Sequence, residues 1–516
     1  MTVTTRSRVA LTSLCLAVSV VTVVGAGRAA ASPNHGPGVV VTVDAAVPGR
    51  VIPTDFVGLS FEANQLHRTW TDPQRGNVAA LLGNLGVGNL RFSANQVDQT
   101  AWMPRPDEPT PSWAVNRQRI EPDDLSRVGR LAANTGWSVD LGVNLGHFDP
   151  AAAADQSAAA KARIGAGLRS IQIGNEPNLF VLNAPTGTRR AYNPQSYVRD
   201  VLVYRKAIRA AASGVPIEGP DTAGAGLGVP PLDAAAWPGL VQPWLTAYTA
   251  AFGDRSRTLN QHYYPYVNVT RVGVPGAAAD ALGALPTVER LLDPDTRAKQ
   301  RTFLRQFSAT ASRAGLKPLL SEANSVAKEG RDGVTDTFGA ALWTVDFLMA
   351  AAREGIVGVN LHNQVDDCRS YPLFCFPDSA ARRADTARVN PNYYAALMVS
   401  QMVGGALLST SVSGGAHVTA YAVRMPTGEI KVIVDDFDRA FRGSVTVRLK
   451  GARAGAASVQ RLTGPSIHAV RGTRFAEATV TPAGRFTARP GTAIVGTAGD
   501  YRIGLSRPGA ALLTAR

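Results

Sequence analysis

The chain has 516 residues, 45% of them apolar and 18% charged, with a formal net charge of +14. That composition excludes a disordered or low-complexity chain, and the length calls for more than one domain. The positive excess is arginine scattered along the chain. It lacks the clustered cations and aromatic platforms of a nucleic-acid binder, so no nucleic-acid partner is expected.

Arg6 and Arg8 precede the apolar run VALTSLCLAVSVVTVVGAG, and RAAAS follows it. A basic start, an apolar centre and small closing residues read as a secretory signal over residues 1–31. The mature chain is then expected outside the cell, with a charge of +11 once Arg6, Arg8 and Arg28 are lost. No other stretch is long and apolar enough to span a bilayer, so no membrane partner is expected after signal removal.

Residues 38–50 are valine-rich and alternate, as a strand does. From 52 to 403, short apolar strands alternate with longer helical patterns. The strands are FVGLSFE (56–62), GNLRFSA (88–94), SVDLGVNLG (138–146), SIQIGNE (170–176), PIEGPD (216–221), LNQHYYP (259–265), KPLLSEA (317–323) and GIVGVNLHN (355–363). Eight such units predict an α/β fold, a (β/α)8 TIM barrel. No G-x-G-x-x-G follows a strand, which disfavours an open dinucleotide-binding sheet. From 404 to 516, short strands joined by Gly and Pro turns predict a C-terminal β-sandwich. Residues 38–50 have no helical partner and are expected to join it. In the barrel's last loop, Cys368 and Cys375 predict a disulfide closing a short loop in an oxidising compartment.

Barrels of this kind carry their chemistry at the C-terminal ends of the strands. Two of those ends hold an acid on an otherwise apolar strand: strand four ends with Asn175 and Glu176, and strand seven ends with Glu322. Cleaving a glycosidic bond needs two carboxyl groups flanking the sugar, one giving a proton and one attacking or activating water. A separation of about 5–5.5 Å is the retaining arrangement. Asn175 is placed to bind a sugar hydroxyl. His262 and Tyr264 lie two apart and share one face. Tyr264 is expected to donate to the nucleophile's carboxylate, and Arg91 to lower the same group's pKa. Asn324 and His362 complete the expected substrate contacts. The sequence has no G-x-S-x-G elbow, no H-E-x-x-H and no Walker pattern, and this chemistry requires no metal or cofactor.

The segments GLSFE, NLRF, IGNEPN, GPD, HYY and SEANS resemble the clan of eight-fold barrel glycosidases, with acids after strands four and seven. Within it, the chain is most similar to glycoside hydrolase family 79, the β-glucuronidase and heparanase-like family. The resemblance implies a secreted retaining β-glycosidase, a β-glucuronidase first, with a carbohydrate as its partner. It implies Glu176 as acid/base, Glu322 as nucleophile, Glu62 and Asn175 as hydroxyl-binding groups, and Tyr264 as the residue holding the nucleophile. The departure concerns the uronate. The loop ANSVAKEGRDG after strand seven contains no tyrosine, which leaves Tyr371 and Arg369 as candidate carboxylate partners, with Asp366 and Asp367 beside them. Two other readings stay open: a sister-family glycosidase acting on a neutral sugar (arabinofuranoside, xyloside or glucoside), and a non-catalytic carbohydrate-binding barrel.

Overall fold

The computed structural model describes residues 38–180, 192–224, 237–273, 276–281, 284–415, 417–451, 455–505 and 508–516. The signal expected over residues 1–31 lies outside them.

Eight parallel strands close into a barrel in chain order: Val57–Glu62, Asn89–Ser93, Ser138–Val143, Leu168–Ile173, Ile217–Thr222, Thr258–Tyr263, Lys317–Ala323 and Gly358–His362. They are called barrel strands one to eight below. Each alternates along its length. Leu59, Phe61, Leu90, Phe92 and Leu141 lie in the apolar core beneath the helices. Ser60, Arg91 and Gln172 point the other way and meet inside the barrel. The interior is therefore polar, where barrels of this type are usually filled by branched aliphatic side chains. Room inside is tight. A Cβ on Gly58 would meet Asn360 Oδ1 at 2.0 Å.

Proline opens many of the surrounding helices. Pro122, Pro150, Pro194, Pro294 and Pro391 stand at helix starts. There the missing N–H costs nothing and φ is already helical. Asp149, Asn193 and Asp293 accept backbone N–H bonds as N-caps of three of them. The helix Phe338–Glu354 is apolar nearly all round and is buried from Phe338 to Ala352. It earns that pattern by packing between the barrel and the C-terminal sheets. Tyr421, on a C-terminal strand, donates its hydroxyl to Asp346 Oδ1 of that helix at 2.7 Å.

The C-terminal region folds as the β-sandwich. On Val418–Arg424, Ala420 and Ala422 face the sandwich core, whereas Tyr421 and Val423 join the barrel's core. The two-residue period thus lets one strand serve two cores. Ala406–Ser413 passes between the sheets: its start pairs with Val418–Arg424, and residues 409–413 pair with Val39–Asp44. That early strand also lies parallel to Gly443–Lys450. Cys368 and Cys375 are joined by a disulfide, with Cα atoms 5.3 Å apart. Among the described residues, no helix is long and apolar enough to cross a membrane.

Candidate active site

The C-terminal mouth of the barrel opens into a cavity of about 500 Å3 lined by Glu62, Glu176, Tyr264, Glu322, His362 and Tyr371 among others. Glu62 ends strand one, and Glu322 lies within strand seven. Glu176 comes after strand four. The chain turns there through Gly174 (φ 74°) and Glu176 (φ 46°), both left-handed. A non-glycine residue in that region costs of order 1–3 kcal/mol and is held by its surroundings.

Arg91 organises the floor. It is wholly buried. Its guanidinium donates to Glu322 Oε2 at 2.9 Å, Asn175 Oδ1 at 2.8 Å, Gln172 Oε1 at 2.7 Å and Ser60 Oγ at 3.0 Å. The Tyr264 hydroxyl donates to the other oxygen of Glu322, Oε1, at 2.8 Å. His262 Nδ1 shares a hydrogen bond with Glu176 Oε1 at 2.9 Å. His362 lies between two acids, 3.8 Å from Glu62 and 3.8 Å from Glu322.

These contacts separate the carboxyl groups electrically. Burial opposes charge on Glu322, but the imidazoles of His362 and His262, the Arg91 guanidinium and the Tyr264 hydroxyl outweigh it and bring its pKa down to about 2. Burial itself pushes His362 below its ordinary value, so Arg91 is the neighbour whose charge persists at every working pH. Burial together with Glu322's charge keeps the Tyr264 hydroxyl protonated, far above its ordinary pKa. Glu62 is the contrast. Burial dominates there, the Gln96 N–H only partly offsets it, and the carboxyl is pushed up to about 8.

Glu176, His262 and Glu322 each offer an atom that could bind a metal, and these atoms lie within 4.8 Å of one another. A cation there would compete with Arg91, 2.9 Å from Glu322. The arrangement suits two carboxyl groups facing one substrate.

The expected site residues divide into three groups. Glu62, Glu176, Tyr264, Glu322, His362 and Tyr371 face the cavity. Arg91, Asn175 and His262 are buried behind it and contact Glu322, Asn95 and Glu176 of its lining. Asn324, expected to touch substrate, lies outside the lining. Its amide donates to the carbonyls of His362 (2.9 Å) and Tyr371 (3.3 Å), tying strand eight to its loop. The Arg369 expectation also changes. Arg369 is exposed and pairs with Asp367 at 3.6 Å, while Asp366 pairs with Arg382 at 3.1 Å. None of the four lines the cavity.

Sequence reasoning missed part of the rim. Lys328 and Arg271 line it, with Glu329 beside them. Arg271 pairs with Glu329 at 3.4 Å; among the described residues, Lys328 has no ion-pair partner. Lys328, Glu329 and Gly330 are successively left-handed (φ 60°, 66° and 69°). Among the described residues, none of their three backbone N–H groups donates to the protein. Consecutive amides in such a turn form an anion-accepting concavity. The signal available in sequence was the lone lysine of AKEG.

A closed parallel barrel with acids at the ends of strands four and seven and a β-sandwich behind it is a glycosidase-type fold. The comparisons place the chain beside such proteins. No family model matches it. It is 26% identical over 254 residues to a β-glucuronidase of Aspergillus niger, covering 48% of this chain and 43% of that protein. A 50-residue segment is 46% identical to a β-glucuronidase of Neurospora crassa, covering 10% of this chain and 9% of that one. The chain thus spans less than half the length of the curated relatives it matches. Its fold is similar to that of a 4-O-α-L-rhamnosyl-β-D-glucuronidase from Fusarium oxysporum (TM-score 0.71, 19% identity, 92% of this chain and 100% of that one). It is also similar to a family 51 α-L-arabinofuranosidase from Bifidobacterium longum (TM-score 0.64, 14% identity, 93% and 100%).

Proposed function

We propose that the chain is a secreted, retaining β-glycoside hydrolase that acts on β-glucuronides. The observation that carries this is the pair Glu176 and Glu322, whose nearest oxygens lie within 4.8 Å across one cavity with different partners. In the first step Glu322 attacks the anomeric carbon while Glu176 gives its proton to the departing glycosidic oxygen. In the second, Glu176 takes a proton from water, which attacks the same carbon and releases Glu322. Arg91 and Tyr264 keep Glu322 ionised and aimed. Asn175, fixed by Arg91, stands behind the cavity with its amide on Asn95 of the lining, and the neutral carboxyl of Glu62 can donate to a hydroxyl. The disulfide favours an oxidising compartment.

The uronide reading rests on the rim. Lys328, on the cavity lining and without an ion-pair partner among the described residues, offers a cationic edge, and two curated relatives are β-glucuronidases. Lys328→Met is expected to raise KM for an aryl β-glucuronide by about tenfold, the scale of one partly exposed charged hydrogen bond. The KM for the matching glucoside is expected to stay unchanged. The test of function is a panel of aryl β-glycosides, uronides included. Preferred turnover of the glucuronide supports the reading. Turnover confined to neutral arabinosides, xylosides or glucosides overturns it in favour of a sister activity.

Glu62 adds a pH dependence. Its carboxyl keeps its proton up to about pH 8 in the folded chain, against an ordinary value of 4.5. Above that it ionises beside Glu322 and repels a uronate. KM for the glucuronide should therefore climb as pH passes 8, and Glu62→Gln should flatten the rise. The stability sign follows from linkage. The native state holds the proton between pH 4.5 and 8 while the unfolded state has lost it, so this group's contribution to stability declines as pH rises across that window.

A further inference from the structure

The acid/base turn is bound to the tip of barrel strand five by more than chain continuity. Glu176 N–H donates to the carbonyl of Asp221 at 2.9 Å. Two residues on, Asn178 makes a reciprocal pair with Ala223. The Ala223 N–H donates to Asn178 Oδ1 at 2.9 Å, and Asn178 Nδ2 donates to the Ala223 carbonyl at 3.3 Å. Asp221 is itself left-handed (φ 53°), as is Glu176 (φ 46°). Two strained tips therefore lean on each other. The strand-five tip is in turn pressed onto strand six. A Cβ on Gly224 would meet the carbonyl oxygen of His262 at 1.7 Å, so only glycine permits that approach. His262 closes the circuit through its 2.9 Å bond to Glu176 Oε1.

We propose that Asn178 is a positioning residue for the general acid/base: it latches the Glu176 turn to the strand-five tip and so fixes the carboxyl against the departing oxygen. This rests on the assignment of Glu176 given above. An amide suits the role because one group both donates and accepts, and here both bonds go to one residue. The latch holds a backbone conformation that glutamate would otherwise leave. Proton transfer depends on placement, and a displacement of about 1 Å can cost about a hundredfold.

The test compares two aryl β-glucuronides. A phenyl glycoside needs a proton on its leaving oxygen, while a dinitrophenyl glycoside departs without one. In Asn178→Ala, kcat/KM for the phenyl substrate should fall about thirtyfold, a partial loss of general-acid assistance. For the dinitrophenyl substrate it should stay within about twofold, because glycosylation there makes no use of the acid. Rates are taken per mole of folded protein, with the thermal unfolding transition recorded for each variant. Asn178→Asp, which keeps the acceptor and loses the donor, should fall between. Adding Asn178→Ala to Glu176→Ala should cost nothing further on either substrate. Equal losses on the two substrates, or a further loss in the double variant, would overturn the latch. If Glu176→Ala itself fails to discriminate between the substrates, the acid/base assignment is wrong, a result separate from failure of Asn178.

Discussion

Glu322→Ala is expected to lower kcat/KM for an aryl β-glucuronide by about 10^5-fold, the scale of losing a covalent nucleophile. The KM of any residual turnover should change little, since the sugar hydroxyls are held by other groups. The size of the effect follows from how Glu322 is kept. Arg91 and Tyr264 each donate to one of its oxygens, at 2.9 and 2.8 Å. Its pKa of about 2 makes it a carboxylate at any working pH. A small external anion such as azide should partly restore turnover in the alanine variant and leave a glycosyl azide of inverted configuration, because it attacks from the vacated face. Activity surviving the substitution would remove Glu322 from the chemistry.

Arg91→Met is expected to damage both folding and catalysis. The side chain is fully buried, and its removal leaves Glu322, Asn175 and Gln172 without their shared donor. Breaking a buried charge pair on one side costs about 3–5 kcal/mol, which should appear as a lower unfolding midpoint. The loss should depend on pH. Glu322 has a depressed native pKa, so its contribution to stability is present above its ordinary value of 4.5 and is lost as pH falls toward 2. Without Arg91 that contribution shrinks, and the gap between variant and parent should narrow in acid. For activity, the acidic limb of kcat/KM should move upward as Glu322 binds its proton more tightly. Arg91→Lys keeps a charge but cannot reach four acceptors, so it should recover stability better than rate. An unchanged unfolding midpoint in Arg91→Met would show that the buried network is relaxed by other means.

Much of this site was legible in the sequence because its residues sit on or just after regular strands. An acid at the tip of an apolar strand, as in SIQIGNE and KPLLSEA, has few structural reasons to be there. A two-residue period put His262 and Tyr264 on one face. What was not legible lies in loops, where no periodicity says which way a side chain points. Asn324 follows Glu322 by two residues, yet its amide turns to the carbonyls of His362 and Tyr371. Arg369 and Asp367 look like pocket charges in a string of letters, but opposite charges close in sequence find each other at the surface first. Lys328 was hidden for a related reason. Its place on the rim depends on three successive left-handed residues, of which only Gly330 is of a type that announces that conformation. The polar barrel interior was also unexpected. Strands that read as apolar carry their polar residues at alternate positions, and Arg91 gathers those of several strands into one network.

The most direct measurement uses a 2-deoxy-2-fluoro-β-glucuronide with a good leaving group, which slows breakdown of the glycosyl ester enough to isolate it. After proteolysis, mass spectrometry should find the added sugar on the peptide containing Ser321, Glu322 and Ala323, bonded to Glu322, in stoichiometric yield. A label on any other carboxylate, or a hydrolysis product that first forms as the α-anomer with no adduct at all, would contradict the account.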